Sequence, residues 1–345
     1  MSATQRAKTM SKLSSRRRFF GQAGLATAGV LGAASLPFKV SAQATDFDIL
    51  NFALNLEYLE AEYYLRAVFG TGLSDADISG TGTLGPVIIK GGSTIVPWEN
   101  DNVRQYAVEI ANDELAHVRF IRAALQSFGQ TPVARPTIDL RDSFTAAATA
   151  AGLISPGSGG GPAACPPGQP PFPSPGPSFV PTADCMGYVP IGHPLDPMRG
   201  GGGGGSTFDP FGSELAFLLG AFIFEDVGVT GYKGAAPLLS NKTVLEAAAG
   251  LLGTEAYHAA TIRTVLFARG AIDAAQKISD LRDAVDGPED KDQGLVLDGN
   301  ANIVPTDANG LVFSRTVQEV LNIVYLGTNN PGGGFFPNRL NGTLA

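Results

Sequence analysis

Two of the chain's three histidines sit in matching tetrads, Glu114-Leu-Ala-His117 and Glu255-Ala-Tyr-His258. Residues three apart share a helix face, so each tetrad presents a carboxylate and an imidazole side by side. The match continues downstream, where His117 is followed by Ile121, Arg122 and Leu125, and His258 by Ile262, Arg263 and Leu266. It also extends upstream, because Glu57 and Glu225 each have a tyrosine seven residues later, Tyr64 and Tyr232. The chain therefore reads as an internal repeat, each half supplying one single Glu and one Glu-x-x-His. Four ionised carboxylates and two neutral imidazoles carry four negative charges, which two divalent cations would cancel. Without cations, carboxylates crowded into an apolar interior repel, lose hydration and take up protons. Carboxylate and imidazole donors suit iron and manganese alike, so two divalent ions, Fe or Mn, are the expected cofactors.

Helices must aim these side chains, and the apolar spacing predicts where they run. The first spans about 46–69, with Ile49, Ala53, Leu56, Glu57, Glu60 and Tyr64 on or near one stripe and Gly70 and Gly72 ending it. Glu60, a turn beyond Glu57, is an alternative ligand, but its repeat partner is Gly228, which favours Glu57. The second spans about 100–128 and places Glu114 and His117 inside the stripe Val103, Ala107, Ile110, Ile121, Leu125 and Phe128. A solvated Glu-x-x-His would lie on the polar face instead. The third begins near Ser213 and carries Leu218, Phe222, Glu225 and Tyr232. Gly228 and Gly231 weaken it by about 1 kcal/mol each relative to Ala and let its backbone approach a neighbouring helix or the metal site. The fourth, about 241–269, carries Leu252, Glu255, His258, Ile262 and Leu266. Tyr64 and Tyr232 are expected to support the ligands or pack in the core. Further helices are expected over 271–285 and 316–325, where Thr316 and Glu319 have capping-box spacing. Pro86-Val-Ile-Ile reads as a short strand or a packed loop.

The remaining segments divide the chain. Residues 1–44 read as a twin-arginine signal peptide: Ser15-Arg16-Arg17-Arg18-Phe19-Phe20, a modestly apolar run over 21–36, and Ala42-Gln43-Ala44 as a cleavage site. Residues 45–130 form the first helix pair, 211–270 the second, and 271–345 the C-terminal helices and a wrapping tail. Between the pairs, residues 131–210 form a crossover insertion dense in Pro and Gly, with six consecutive glycines at 200–205, from which no packed core is expected. Cys165 and Cys185, the only cysteines, lie there; an exported compartment favours a disulfide, zinc binding with His193 being the alternative.

The leader holds seven of the 24 basic residues and no acidic one, so its removal leaves 17 against 32 acidic residues and a formal charge of −15. So acidic a protein is not expected to bind nucleic acid or an anionic membrane. No segment beyond the leader reads as long and apolar enough to cross a bilayer, so no stable membrane insertion is expected after cleavage. The expected location is the periplasm or beyond, reached through the twin-arginine export machinery. The sequence has no Gly-x-Ser-x-Gly elbow, no phosphate-binding loop ending in Gly-Lys-Ser/Thr, and no dinucleotide fingerprint before a helix.

With the motifs in place, the chain resembles the ferritin-like superfamily, whose di-metal members take one Glu from each of two helices and Glu-x-x-His from each of the other two. Within it, Asn51-Phe-Ala-Leu-Asn-Leu-Glu-Tyr-Leu-Glu-Ala-Glu-Tyr-Tyr64, the two Glu-x-x-His helices and the Gly-Gly-Phe-Phe-Pro-Asn…Asn-Gly tail resemble the plant desiccation-related proteins and their bacterial relatives. The resemblance implies an all-α, ferritin-like four-helix bundle with a long crossover insertion. It implies metal roles for Glu57, Glu114, His117, Glu225, Glu255 and His258. It leaves two functions open. One is an exported di-metal oxidoreductase of peroxidase, catalase or oxidase type, acting on peroxide or dioxygen in a stress-related role; manganese catalases and rubrerythrins are similar in ligand set. The other is a structural, desiccation-protective protein whose metal site ties helices together without catalysis. Iron storage needs a closed cage, which the insertion disfavours.

Overall fold

The computed structural model describes residues 44–154, 179–181, 188–190 and 207–345. Arg16, Arg17, Cys165, Cys185 and His193 lie outside them, so the expected export motif and disulfide do too. Four long helices form the bundle: α1 (Asp46–Phe69), α3 (Asp101–Ser127), α5 (Glu214–Ala235) and α6 (Lys242–Ala268). Short α2 (Asp75–Ile78) and α4 (Asp142–Ala150) lie in the connections, while α7 (Ile272–Asp286) and α8 (Val317–Val324) follow the bundle. The fold is the expected all-α class. Phe47 and Phe128 pack with tilted rings, centroids 5.5 Å apart, setting the start of α1 beside the end of α3. Six residues, a 3₁₀ turn over Ala236–Leu238 and then Leu239, Ser240 and Asn241, separate α5 from α6, so that pair is also antiparallel.

The helix ends show why these boundaries form. Thr45 and Thr316 make capping boxes with Asp48 and Glu319, and Asn100, Ser213 and Asn241 each accept a backbone N–H from the first turn of their helix. The repeat also caps across itself. The Asp46 carboxylate accepts the backbone N–H groups of Ser240 and Asn241 at 2.8 and 2.7 Å, tying the start of α1 to the start of α6. Glu214 accepts those of Glu99 and Asn100, both at 2.9 Å, tying the start of α5 to the start of α3. Each single-Glu helix thus opens with an acid that anchors the Glu-x-x-His helix of the other half.

Three features depart from the sequence reading. The insertion is not coreless from its first residue: Val133, Ile138 and Leu140 are buried, Ile138–Asp139 pairs in parallel with Val87–Ile88, and α4 buries Phe144, Ala147 and Ala148. The apolar side chains interleaved with the first small residues outweigh the later Pro/Gly composition. Helix α5 with its 3₁₀ extension, Glu214–Leu238, is 25 residues long and apolar enough to cross a bilayer, contrary to the expectation that no segment beyond the leader is. Its most apolar window is 78% buried, and its hydropathy is that of a central core helix. Finally, Phe128 is exposed at the end of the stripe it was expected to extend.

The tail does wrap back. Phe335 and Phe336 are fully buried, and Asn341 exchanges hydrogen bonds with Asn55 on α1. Behind α5, Arg263, Arg282 and Arg315 are buried among Asp226, Asp286 and Asp292. Arg263 and Arg282 reach Asp226 at 2.7 and 2.9 Å, Arg282 reaches Asp292 at 2.7 Å, and Arg315 bonds Asp286 at 2.8 Å. The arrangement fastens α6, α7 and the approach to α8 onto α5.

Candidate metal centre

The bundle brings Glu57, Glu114, His117 and Glu255 into one cluster, and Glu114, Glu225 and His258 into a second, with the donor atoms of each lying within 4.8 Å of one another. Glu114 belongs to both. Its Oε1 lies 3.0 Å from His258 Nδ1 and its Oε2 lies 3.4 Å from His117 Nδ1, so one carboxylate faces both imidazoles with different oxygens. His117 Nδ1 lies 3.2 Å from Glu57 and 3.6 Å from Glu255, and His258 Nδ1 lies 3.6 Å from Glu225. The two rings stand 6.0 Å apart.

The repeat shows in the supporting contacts as a swap between halves. Tyr64 of α1 donates its hydroxyl hydrogen bond to Glu225 of α5, and Tyr232 of α5 donates to Glu57 of α1. The shared seven-residue offset thus fixes each single-Glu carboxylate from the opposite helix. The two repeated arginines act alike one position further on. Arg122 donates to Tyr58, which follows Glu57, at 2.6 Å, and Arg263 binds Asp226, which follows Glu225, at 2.7 Å.

One contact was not legible from the motif, and another gives a sequence expectation its partner. Asp113 Oδ2 lies 3.2 Å from His258 Nε2, so this carboxylate accepts from the outer nitrogen and holds the ring with Nδ1 facing Glu114 and Glu225. The repeat hides Asp113, because its counterpart before Glu255 is Thr254; the only signal is an acid preceding the first tetrad. Gly228 packs directly on Glu255, and a methyl group there would collide with Oε2. The backbone approach expected of Gly228 is thus an approach to a site carboxylate, whereas Gly231 makes only ordinary contact with Val320. Glu60 belongs to neither cluster and lies instead in the wall of a cavity beside Glu57.

Burial and mutual repulsion set the charges. Burial, then the charge of Glu114, pushes Glu57 up to about 7, while burial is the main cause that pushes Glu225 up to about 8. Burial and neighbouring carboxylates raise Glu60 and Glu255 well above the usual range. Burial would raise Glu114 as well, but hydrogen bonds and charge from both histidines bring it to about 2. Burial works against protonation of the histidines, yet Glu114 and Glu57 raise His117 to about 11, and Glu225 and Glu114 raise His258 to about 9. The protein alone thus holds protons where the donor geometry invites cations. Beside Glu114, whose oxygens face the two imidazoles, both oxygens of Glu255 and Glu225 Oε2 are buried without a hydrogen-bond donor among the described residues. Such groups are costly to leave unmatched, and the donor set fits metal ions.

A bundle of this order with clustered carboxylates and imidazoles is of the ferritin-like class. The family model of the ferritin-like domain matches residues 45–268, and the chain belongs to that family. Among curated proteins, it is 27% identical over 299 residues to the desiccation-related protein PCC13-62 of Craterostigma plantagineum, covering 80% of this chain and 76% of that one. It is 25% identical over 323 residues to the ferritin-like catalase Nec2 of Nesocodon mauritianus, covering 87% and 85% respectively. No solved structure matches the chain significantly.

Proposed function

We propose that the protein is an exported dinuclear metal protein that disproportionates peroxide. The observation that carries the proposal is the buried double cluster in which Glu114 faces both imidazoles while both oxygens of Glu255 and Glu225 Oε2 lack partners. Glu57, Glu114, His117 and Glu255 would hold one ion, and Glu114, Glu225 and His258 the other. Iron or manganese there would supply adjacent positions at which an O–O bond can be bound and electrons exchanged. Disproportionation converts two hydrogen peroxide molecules to two waters and one dioxygen, so it balances without an external reductant. The relative named as a ferritin-like catalase supports this choice over an oxidase.

The chain's own residues prepare the site. Tyr64 and Tyr232 fix the single-Glu carboxylates, Asp113 sets the orientation of His258, and the apolar helix faces exclude bulk water. Arg16 and Arg17 address the protein to twin-arginine export, which carries folded proteins, so metal would be acquired before transport. Peroxide turnover by metal-loaded protein, compared with Glu114→Ala, tests the activity. Turnover lost with the metal supports the proposal; fully loaded protein without turnover would leave the stress-protective scaffold, which the desiccation-related relative supports. Substituting Arg16 and Arg17 by Lys and following the protein between cytoplasmic and periplasmic fractions tests the address.

A further inference from the structure

Peroxide and dioxygen have two heavy atoms, yet the site opens onto far more room than either fills. A cavity of about 350 Å³ occupies one end of the bundle, between the start of α1, the end of α3, the end of α5 and the start of α6. Its inner end is walled by Glu57, Glu60 and Tyr232. Outward from them its wall is mainly apolar, built of side chains such as Leu50, Ala53, Ala124, Val244 and Ala247, with Ser127 and Thr243 as its outer polar residues. At the rim stand Phe120, Phe128 and Leu238, which are 48%, 38% and 45% exposed. Arg315 also reaches the wall, but its guanidinium is engaged by Asp286, Asp292 and Thr230. At the ~30 Å³ occupied by a water-sized group, the space takes roughly a dozen heavy atoms.

We propose that this cavity binds a medium-chain, unbranched lipid with a neutral oxygen-bearing head, tail toward Phe120 and Phe128 and head toward Glu57, Glu60 and Tyr232. The inference rests on the metal-centre reading for the chemistry at the head, while binding of the tail stands on the cavity alone. A mainly apolar cavity whose carboxylates and phenol are gathered at one end is the form of a site for an amphiphile. Small alanines on three of the four helices, Ala53, Ala124 and Ala247, leave the width that larger residues would fill. The head should be neutral because four site carboxylates would already balance two divalent ions. Glu60 remains in excess, and no unengaged cation lines the wall among the described residues. A lipid alcohol, aldehyde or hydroperoxide fits, whereas an ionised fatty acid does not.

The test is calorimetric titration of the full-length protein, as purified, with 1-hexanol, 1-octanol and 1-decanol, and with decanoate at neutral pH. Each added methylene buried in an apolar wall contributes about 0.8 kcal/mol, or about fourfold in affinity, so binding should tighten about fourfold per carbon. Decanoate should bind at least tenfold more weakly than 1-decanol. Ala124→Phe and Ala247→Phe, on different helices, should each weaken 1-decanol binding tenfold or more, with circular dichroism confirming that at least one is folded. Absence of saturable binding, affinity independent of chain length, or unchanged affinity in a folded filled variant would overturn the proposal, and equal binding of decanoate would overturn its neutral head. Metal content and peroxide turnover on the same sample are read separately. A protein that turns over peroxide without binding 1-decanol refutes the lipid site alone. One that binds 1-decanol but never takes up metal refutes the metal centre and retains the cavity.

Discussion

Loading the site with metal should expel protons in a number set by the present charges. At pH 7, His117 and His258, held at about 11 and 9, carry essentially full protons, and the upward shift of Glu255 favours its protonated form. Glu225, at about 8, is mostly protonated, Glu57, at about 7, is half protonated, and Glu114, at about 2, is ionised. Ligation requires imidazole lone pairs and carboxylates, so filling both positions should release about four protons at pH 7. As Glu57 and Glu225 ionise and His258 begins to, the number should fall to two or three, roughly, by pH 9. The apparent two-ion binding constant should therefore rise by about four powers of ten per pH unit near neutrality. Calorimetric titration with Mn(II) in buffers of different ionisation enthalpy reads the number directly. A release of one proton or none at pH 7 would refute the reasoning, because the donors would then be already deprotonated or not ligands.

Removing metal should also reverse the pH dependence of stability. In the metal-free protein, the raised values of His117, His258, Glu57 and Glu225 contribute stability that is complete below their ordinary values of 6.5 and 4.5 and lost as pH rises through about 7 to 11. Scanning calorimetry should show Tm falling by several degrees, roughly, from pH 6 to pH 9 without metal and rising with it. Gly228→Ala should displace Glu255 and lower metal content while helical content is retained, as measured by elemental analysis beside circular dichroism. Asp113→Ala frees the His258 ring and should weaken metal binding about 10- to 100-fold in competition with a chelator. Arg315→Ala strands Asp286 in the interior, leaves Asp292 with Arg282 as its cation, and should cost about 3–5 kcal/mol, lowering Tm on the order of 10 °C without altering the ligands.

Periodicity and repetition made the long helices and the clustered residues legible. Glu114, His117, Glu255 and His258 announced themselves because polar groups inside an apolar stripe are costly unless something binds them. The tyrosine offset pointed to Tyr64 and Tyr232 but not to their exchange between halves, which depends on how α1 crosses α5. Asp113 breaks the repeat, so a comparison of the halves passes over it. The Arg263, Arg282 and Arg315 network joins residues far apart in the chain, and no local pattern links Asp226 to Arg282. Composition misled at residues 131–154, where alternating apolar residues pack in a segment whose later part is Pro and Gly. The cavity was invisible for the opposite reason: it is made by alanines and glycines, whose small size carries no periodic signal.

The most direct measurement is metal content by elemental analysis of protein purified from its native compartment, beside a Glu114→Ala/His258→Ala double variant. The account predicts close to two iron or manganese atoms per chain, lost in a variant that remains folded. A metal-free wild-type protein, or a variant that binds as much metal as the wild type, would contradict it.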